Sequence, residues 1–381
     1  MKAHGTGARL CDDAQVAAAK RSKILNWTVL TPLLGLVVLA LTWGRQLGAV
    51  PVTIVAAALC GAVLAAVHHA EVVAARVGEP YGSLVLAVAV TVIEVALILT
   101  IMASGGSDAS SLARDTVFAA VMITANGIVG ISILCGAIRH GVIHFNSEGA
   151  GAALATVATL ATVCLVLPTF TTAEPGPEFS TSQLVFAALA SLALWGMFVF
   201  TQTVRHRDFF LPVDADGSAR EAEVHADPPT GSAALASLGL LLVALVAVVG
   251  LAKVESPSIE AGVDALGFPP SSVGVVIALL VLLPESIAAV RAALRDRVQI
   301  SLNLGYGSAM ASIGLTIPAI AVASIWMDGP LVLGLGPVQM VLLALTVVVS
   351  VLTVVPGRAT RMQGGVHLVL LAAYLFLAVN P

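Results

Sequence analysis

Residues 70–99 read AEVVAARVGEPYGSLVLAVAVTVIEVALIL, and residues 259–290 read IEAGVDALGFPPSSVGVVIALLVLLPESIAAV. Each holds a long apolar run with one glutamate deep inside it, Glu94 in the first and Glu285 in the second. A helix needs about 20 apolar residues to cross roughly 30 Å of hydrocarbon, whereas a barrel strand needs about 10 that alternate. These runs do not alternate, so they read as membrane helices. An ionised carboxylate at bilayer depth costs roughly 2.5–3.5 kcal/mol on insertion scales. A single such group can be a protonated Glu bonded to a neighbouring helix. Two at matching positions point to a site.

The whole chain supports that reading. Of its 381 residues, 58% are apolar and only 10% charged, against roughly 25% charged in an ordinary soluble chain. Mean hydropathy is +1.00. The net charge of -4 excludes a basic nucleic-acid binder. Cys11, Cys60, Cys135 and Cys164 form no CxxC pair, so neither a disulfide framework nor a zinc site is expected.

The expected fold class is an all-α integral membrane protein with about eleven transmembrane helices. The spans read 24–43, 50–77, 81–103, 116–138, 150–169, 180–204, 232–252, 272–294, 299–325, 331–354 and 362–379. Residues 1–23 form a polar tail, and 24–43 is a retained first helix, not a cleaved signal. With the N-terminus in the cytoplasm, fifteen Lys and Arg lie inside and only Arg45, Arg114 and Lys253 outside. The C-terminus then lies outside. Residues 205–231 have the composition of a flexible cytoplasmic linker and divide the chain almost evenly.

The two halves carry a divergent repeat. Glu71 precedes Gly78 by seven residues, as Glu260 precedes Gly267. Glu94 follows Gly78 by sixteen and Glu285 follows Gly267 by eighteen. Arg114-Asp115-x-Val117 and Arg295-Asp296-x-Val298 come next, then Asn126-x-x-x-Gly130 and Asn303-x-x-x-Gly307. The repeats span 50–204 and 232–381 with five helices each, and an odd number enters the second copy upside down. Inverted repeats with a midplane site are the architecture of many secondary transporters.

Two carboxylates facing each other across a pseudo-twofold axis repel, and either a cation or protons neutralise the pair. That competition is the physical basis of cation:proton exchange. Glu94 and Glu285 are therefore the expected metal ligands, with Asn126, Asn303, Ser308 and Ser312 as further oxygen donors and Thr91 and Ser286 as extra hydroxyls. An oxygen-only set suits hard cations such as calcium or sodium. Pro284 is expected to interrupt helix 8 and free carbonyls there. His68, His69 and Glu71 end helix 2, and Glu255, Glu260 and Asp264 follow helix 7. These read as vestibules that gate access and relay protons.

At these residues the sequence resembles the calcium:cation antiporter superfamily, in its bacterial cation:proton branch of ChaA-type calcium/sodium:proton antiporters. The likeness is carried by residues 68–99, by LARDTVFAAVMITANGIVG (112–130), LPTFTTAEPGPEFS (167–180) and TQTVRHRDFFLP (201–212). The resemblance implies ten core helices in two inverted repeats plus an extra first helix, and residence in the bacterial inner membrane. It implies export of calcium, sodium or potassium against protons, with no resident cofactor. It places ion binding on Glu94 and Glu285, assisted from helices 4 and 9, with helices 2 and 7 as gates. The family's Pro-Glu signature is kept at Pro284-Glu285, whereas helix 3 carries Val92-Ile93-Glu94. A channel is disfavoured because no filter sequence is present. An intramembrane enzyme is disfavoured because neither HExxH nor GxSxG occurs.

Overall fold

The computed structural model describes residues 27–45, 47–78, 81–104, 109–214, 218, 229–326 and 329–380. The expected tail at 1–23 and most of the 205–231 linker lie outside these. Eleven helices follow one another: α1 (Trp27–Thr42), α2 (Ala49–Val77), α3 (Tyr81–Ser104), α4 (Ser110–His140), α5 (Ser147–Thr169), α6 (Thr181–Arg205), α7 (Gly231–Ala265), α8 (Ser272–Leu294), α9 (Val298–Ala323), α10 (Pro337–Val354) and α11 (Arg361–Val379). Among the described residues, nine are long and apolar enough to cross a membrane, while α1 and the apolar part of α3, Ala87–Ala103, are shorter.

Several boundaries differ from the hydropathy reading, each for a local reason. Helix α4 begins at 110 and not 116, because the charge of Asp115 is answered within the helix by Arg114 Nε at 2.8 Å and Ser111 Oγ at 2.9 Å. Helix α7 runs 35 residues, through Pro257, to Ala265. Glu255, Glu260 and Asp264 are thus on its last turns and do not follow it. Ser256 Oγ donates to Glu260 Oε1 at 2.9 Å one turn on. Residues 331–336 are not helical; the Leu333 and Gly334 amides donate to Pro177 O and the Leu335 amide to Leu165 O. Pro284 does not interrupt α8, which is continuous through it. The irregular turns lie elsewhere, as π-helical segments at Ile123–Ile128 in α4, Thr162–Val166 in α5 and Thr201–Arg205 at the end of α6.

Helix contacts come in matched pairs across the two halves. Helix α3 packs on α9 as α8 packs on α4, and α6 packs on α9 as α11 packs on α4. Helices α2 and α7 pack on each other over a long interface, as do α4 and α8. At one face, β1 (Ile143–His144) between α4 and α5 pairs antiparallel with β2 (Arg358–Ala359) between α10 and α11. At the other face, Glu178 between α5 and α6 bridges antiparallel to Val332 between α9 and α10. Exchanging the halves turns one pairing into the other. The starts of α6 and α11 also match: a Pro-Gly turn with Gly176 or Gly357 at positive φ, then Ser180 N donating to Gln183 Oε1 and Thr360 N to Gln363 Oε1, both at 2.9 Å. Close approach of α4 and α11 requires Gly364, where a Cβ would fall 2.6 Å from Leu134 N.

The 205–231 connection is not loose from its first residue. Phe210 packs edge-to-face on Phe198 at 5.5 Å. Its carbonyl accepts from Asn303 Nδ2 at 2.7 Å.

Candidate cation site

Glu94 reaches the bundle interior from α3 and is only 4% exposed. Ser312 of α9, itself buried, donates its hydroxyl to Glu94 Oε1. Glu285 enters from α8, and its Oε2 is buried without a hydrogen-bond partner. The charges of Glu94 and of Glu71 on α2 both act on Glu285. Arg291, further along α8, acts in turn on Glu71. Acidic groups from α2, α3 and α8 thus lie within electrostatic reach, and one of them, Glu94, is bonded by the α9 serine. One turn beyond Ser312, Thr316 is buried with its own hydroxyl unpartnered.

An unsatisfied buried carboxylate oxygen costs free energy that only a proton or a cation can return in so apolar a setting. The unpartnered Glu285 Oε2, within electrostatic reach of the Ser312-bonded Glu94, and the unpartnered Thr316 Oγ1 one turn along α9 are oxygens of the kind that suits a hard cation. Among the described residues no three His, Cys, Asp or Glu side chains converge as metal ligands. A bound cation would therefore rely on the two glutamates together with hydroxyl and carbonyl oxygens.

The other expected donors are placed differently. Thr91 and Ser286 turn their hydroxyls back to Ala87 O at 2.9 Å and Leu282 O at 2.7 Å on their own helices. Ser308 is half-buried on α9. Asn126 and Asn303 do not form a pair, and neither amide bonds to Glu94 or Glu285. Asn126 lies in the α4 π-segment, where Nδ2 donates to Thr346 Oγ1 at 2.9 Å and Oδ1 lies 3.2 Å from His367 Nδ1. Asn303 accepts from Gln299 Nε2 at 2.9 Å and holds Phe210 O, at the start of α9. Asp296 sits in the α8–α9 turn at φ 58, whereas Asp115 is helical, so the two Arg-Asp pairs are not structural equivalents.

The gating residues separate by exposure. Glu71 and Glu260 are exposed and His68 is half-buried. His69 faces no vestibule: it is 3% exposed and its Nε2 lies 3.1 Å from Thr28 O of α1. Glu255 is 5% exposed with Oε2 unpartnered, and its charge acts on Cys60 of α2. Sequence reading missed Thr316, because a lone threonine in an apolar helix carries no distinguishing signal.

The sequence profile of the sodium/calcium exchanger protein family matches two separate segments, residues 47–204 and 236–380. The chain belongs to this family. Within the calcium:cation antiporter superfamily it falls in the cation:proton branch, and it is a multi-pass membrane transporter. It is similar to a putative ionic transporter, y4hA, of Sinorhizobium fredii, at 46% identity over 358 residues, 93% of this chain and 96% of the relative. It is also similar to the sodium-potassium/proton antiporter ChaA of Escherichia coli, at 35% over 366 residues, 95% of this chain and 98% of the relative. Native YfkE shares the fold, with a TM-score of 0.69 at 14% identity over 94% of this chain and 99% of that one.

Proposed function

We propose that this transporter exports calcium, sodium or potassium in exchange for protons by alternating access at Glu94 and Glu285. The carrying observation is the unpartnered, buried Glu285 oxygen within electrostatic reach of the Ser312-bonded Glu94. A site that leaves a carboxylate oxygen unanswered is poised to be filled by metal or by protons, and filling by one displaces the other. The names of the relatives support the reading: ChaA exchanges sodium and potassium for protons, and YfkE is called a Ca2+/H+ antiporter.

The architecture that serves this cycle is two inverted five-helix repeats, α2–α6 and α7–α11, behind an extra α1. The matched helix contacts, the exchanged strand pairings and the twofold match of the family profile support it. The chain sits in the bacterial inner membrane with its N-terminus cytoplasmic and its C-terminus outside. Arg76, Arg139, Arg205, Arg295 and Arg361 all lie at helix ends of that inner face.

Purified protein in liposomes with a trapped pH dye tests the exchange. Calcium, sodium and potassium, added separately at a series of pH values, should each drive proton movement in proportion to their affinity. Cation flux that leaves the internal pH untouched would mean a channel instead. The serine makes a finer expectation. Ser312→Ala removes a hydrogen bond to a charged group, worth about 1.5–3 kcal/mol, so the cation concentration for half-maximal exchange should rise at least tenfold. Ser312→Thr, which keeps the hydroxyl, should stay close to native.

A further inference from the structure

Between α1, α3 and α7 runs a groove of about 700 Å³ whose lining is almost wholly apolar. Its walls include Leu36 and Ala40 of α1, Trp43 just past its end, Val92 and Ala96 of α3 and Val249 of α7. Of these, Ala40, Trp43 and Val92 are exposed, so in a bilayer the groove opens to lipid and an acyl chain is its natural filling. What distinguishes it from ordinary lipid-facing surface is its mouth. Lys253 Nζ stands 5.5 Å from the centroid of the Trp43 ring. Arg45, exposed, follows in the turn that closes α1, where its amide donates to Thr42 O at 3.2 Å.

Only three cations belong to this face of the chain by the alternation of spans: Arg45, Arg114 and Lys253. Arg114 is held by Asp115 in an ion pair at 2.8 Å. Of the remaining two, Lys253 stands over Trp43 at this groove and Arg45 follows Trp43 by two residues. An apolar slot capped by a Trp and two cations without carboxylate partners matches a phospholipid with an anionic headgroup. We propose that the groove binds one anionic phospholipid of that leaflet, its chain against Val92 and Ala96 and its headgroup on Lys253 and Arg45. The bound chain would fill the space between the extra helix α1 and α3, on which Glu94 lies between Val92 and Ala96.

Trp43 supplies the readout, which does not depend on transport. The full-length protein is reconstituted in phosphatidylcholine vesicles, and acyl-brominated phosphatidylglycerol or acyl-brominated phosphatidylcholine is titrated in. The Trp43 contribution is the part of the quenching absent in Trp43→Phe. Brominated phosphatidylglycerol should quench it at roughly one tenth of the mole fraction that brominated phosphatidylcholine needs, from two interfacial cations. Lys253→Gln with Arg45→Gln should erase that difference while leaving quenching by phosphatidylcholine. Lys253→Arg should retain it, which guards against a merely misfolded variant. Ala40→Phe, which fills the slot, should protect Trp43 from both lipids. Equal quenching by the two lipids in the native protein, or a preference that survives the double substitution, overturns the proposal. So does native protein whose Trp43 neither lipid reaches and which cross-links as a dimer through α1.

Discussion

Glu285→Gln should abolish cation-driven proton movement, to below about one hundredth of the native rate, in protein that still reaches the membrane in native amount. Glutamine keeps the shape of the side chain but neither carries a proton nor offers a charge. A hundredfold loss corresponds to about 2.7 kcal/mol of lost stabilisation. That is within what removing one charged ligand from a desolvated site costs. Stability should suffer little, because Glu285 Oε2 has no hydrogen-bond partner to lose. Glu94→Gln should fall in the same range, although its amide oxygen can still accept from the Ser312 hydroxyl that now donates to the carboxylate. Asp at either position keeps the charge while drawing it back by one methylene, so exchange should persist at reduced cation affinity. Everted membrane vesicles energised by respiration give the measurement, with added calcium releasing the accumulated pH gradient. Full release in both Gln variants would remove these residues from the mechanism.

The glutamates were legible because a charge inside an apolar run is costly, and that cost shows in one dimension. Eleven helices were legible from their apolar runs, nine of them long and apolar enough to span among the described residues, and Ser312 was among the hydroxyls expected to help. What sequence does not encode is where a charge has been answered locally. Arg114-Asp115 reads as the end of a span, yet the pair closes on itself within α4 at 2.8 Å. Likewise, Glu255 and Glu260 read as loop residues although α7 carries both. The second matching α-helix start, Ser180 to Gln183 against Thr360 to Gln363, was present in the chain but diluted by a one-residue difference in spacing from the Pro-Gly turn. His69 reads as a vestibule residue from its neighbours His68 and Glu71. Which side of α2 it takes is decided by α1, whose Thr28 carbonyl it meets.

Asn126 is where sequence and structure part most, and it gives the second large effect. By composition an amide at membrane depth is a neutral ligand; in the structure its donors and acceptor are already committed. The π-segment Ile123–Ile128 places it 0% exposed between α10 and α11. There it links Thr346 Oγ1 at 2.9 Å to His367 Nδ1 at 3.2 Å, and His367 Nε2 lies 3.2 Å from Thr353 Oγ1. His367 is itself 0% exposed. Asn126→Leu takes away the partner of His367 Nδ1 and the Asn126 amide from the Thr346 hydroxyl, at about 1–3 kcal/mol for each group left unsatisfied. The purified variant should therefore lose several degrees of melting temperature. Asn126→Leu combined with His367→Leu should recover part of that loss, since an apolar pair leaves fewer groups stranded, and contacting residues couple by about 0.5–3 kcal/mol. The decisive readout is the rise in melting temperature caused by saturating calcium, which reports ligand binding to the folded state. That rise should survive in Asn126→Leu and vanish in Glu285→Gln. A calcium-induced rise lost in both would return Asn126 to the coordination shell and make the α4 π-segment part of the ion site.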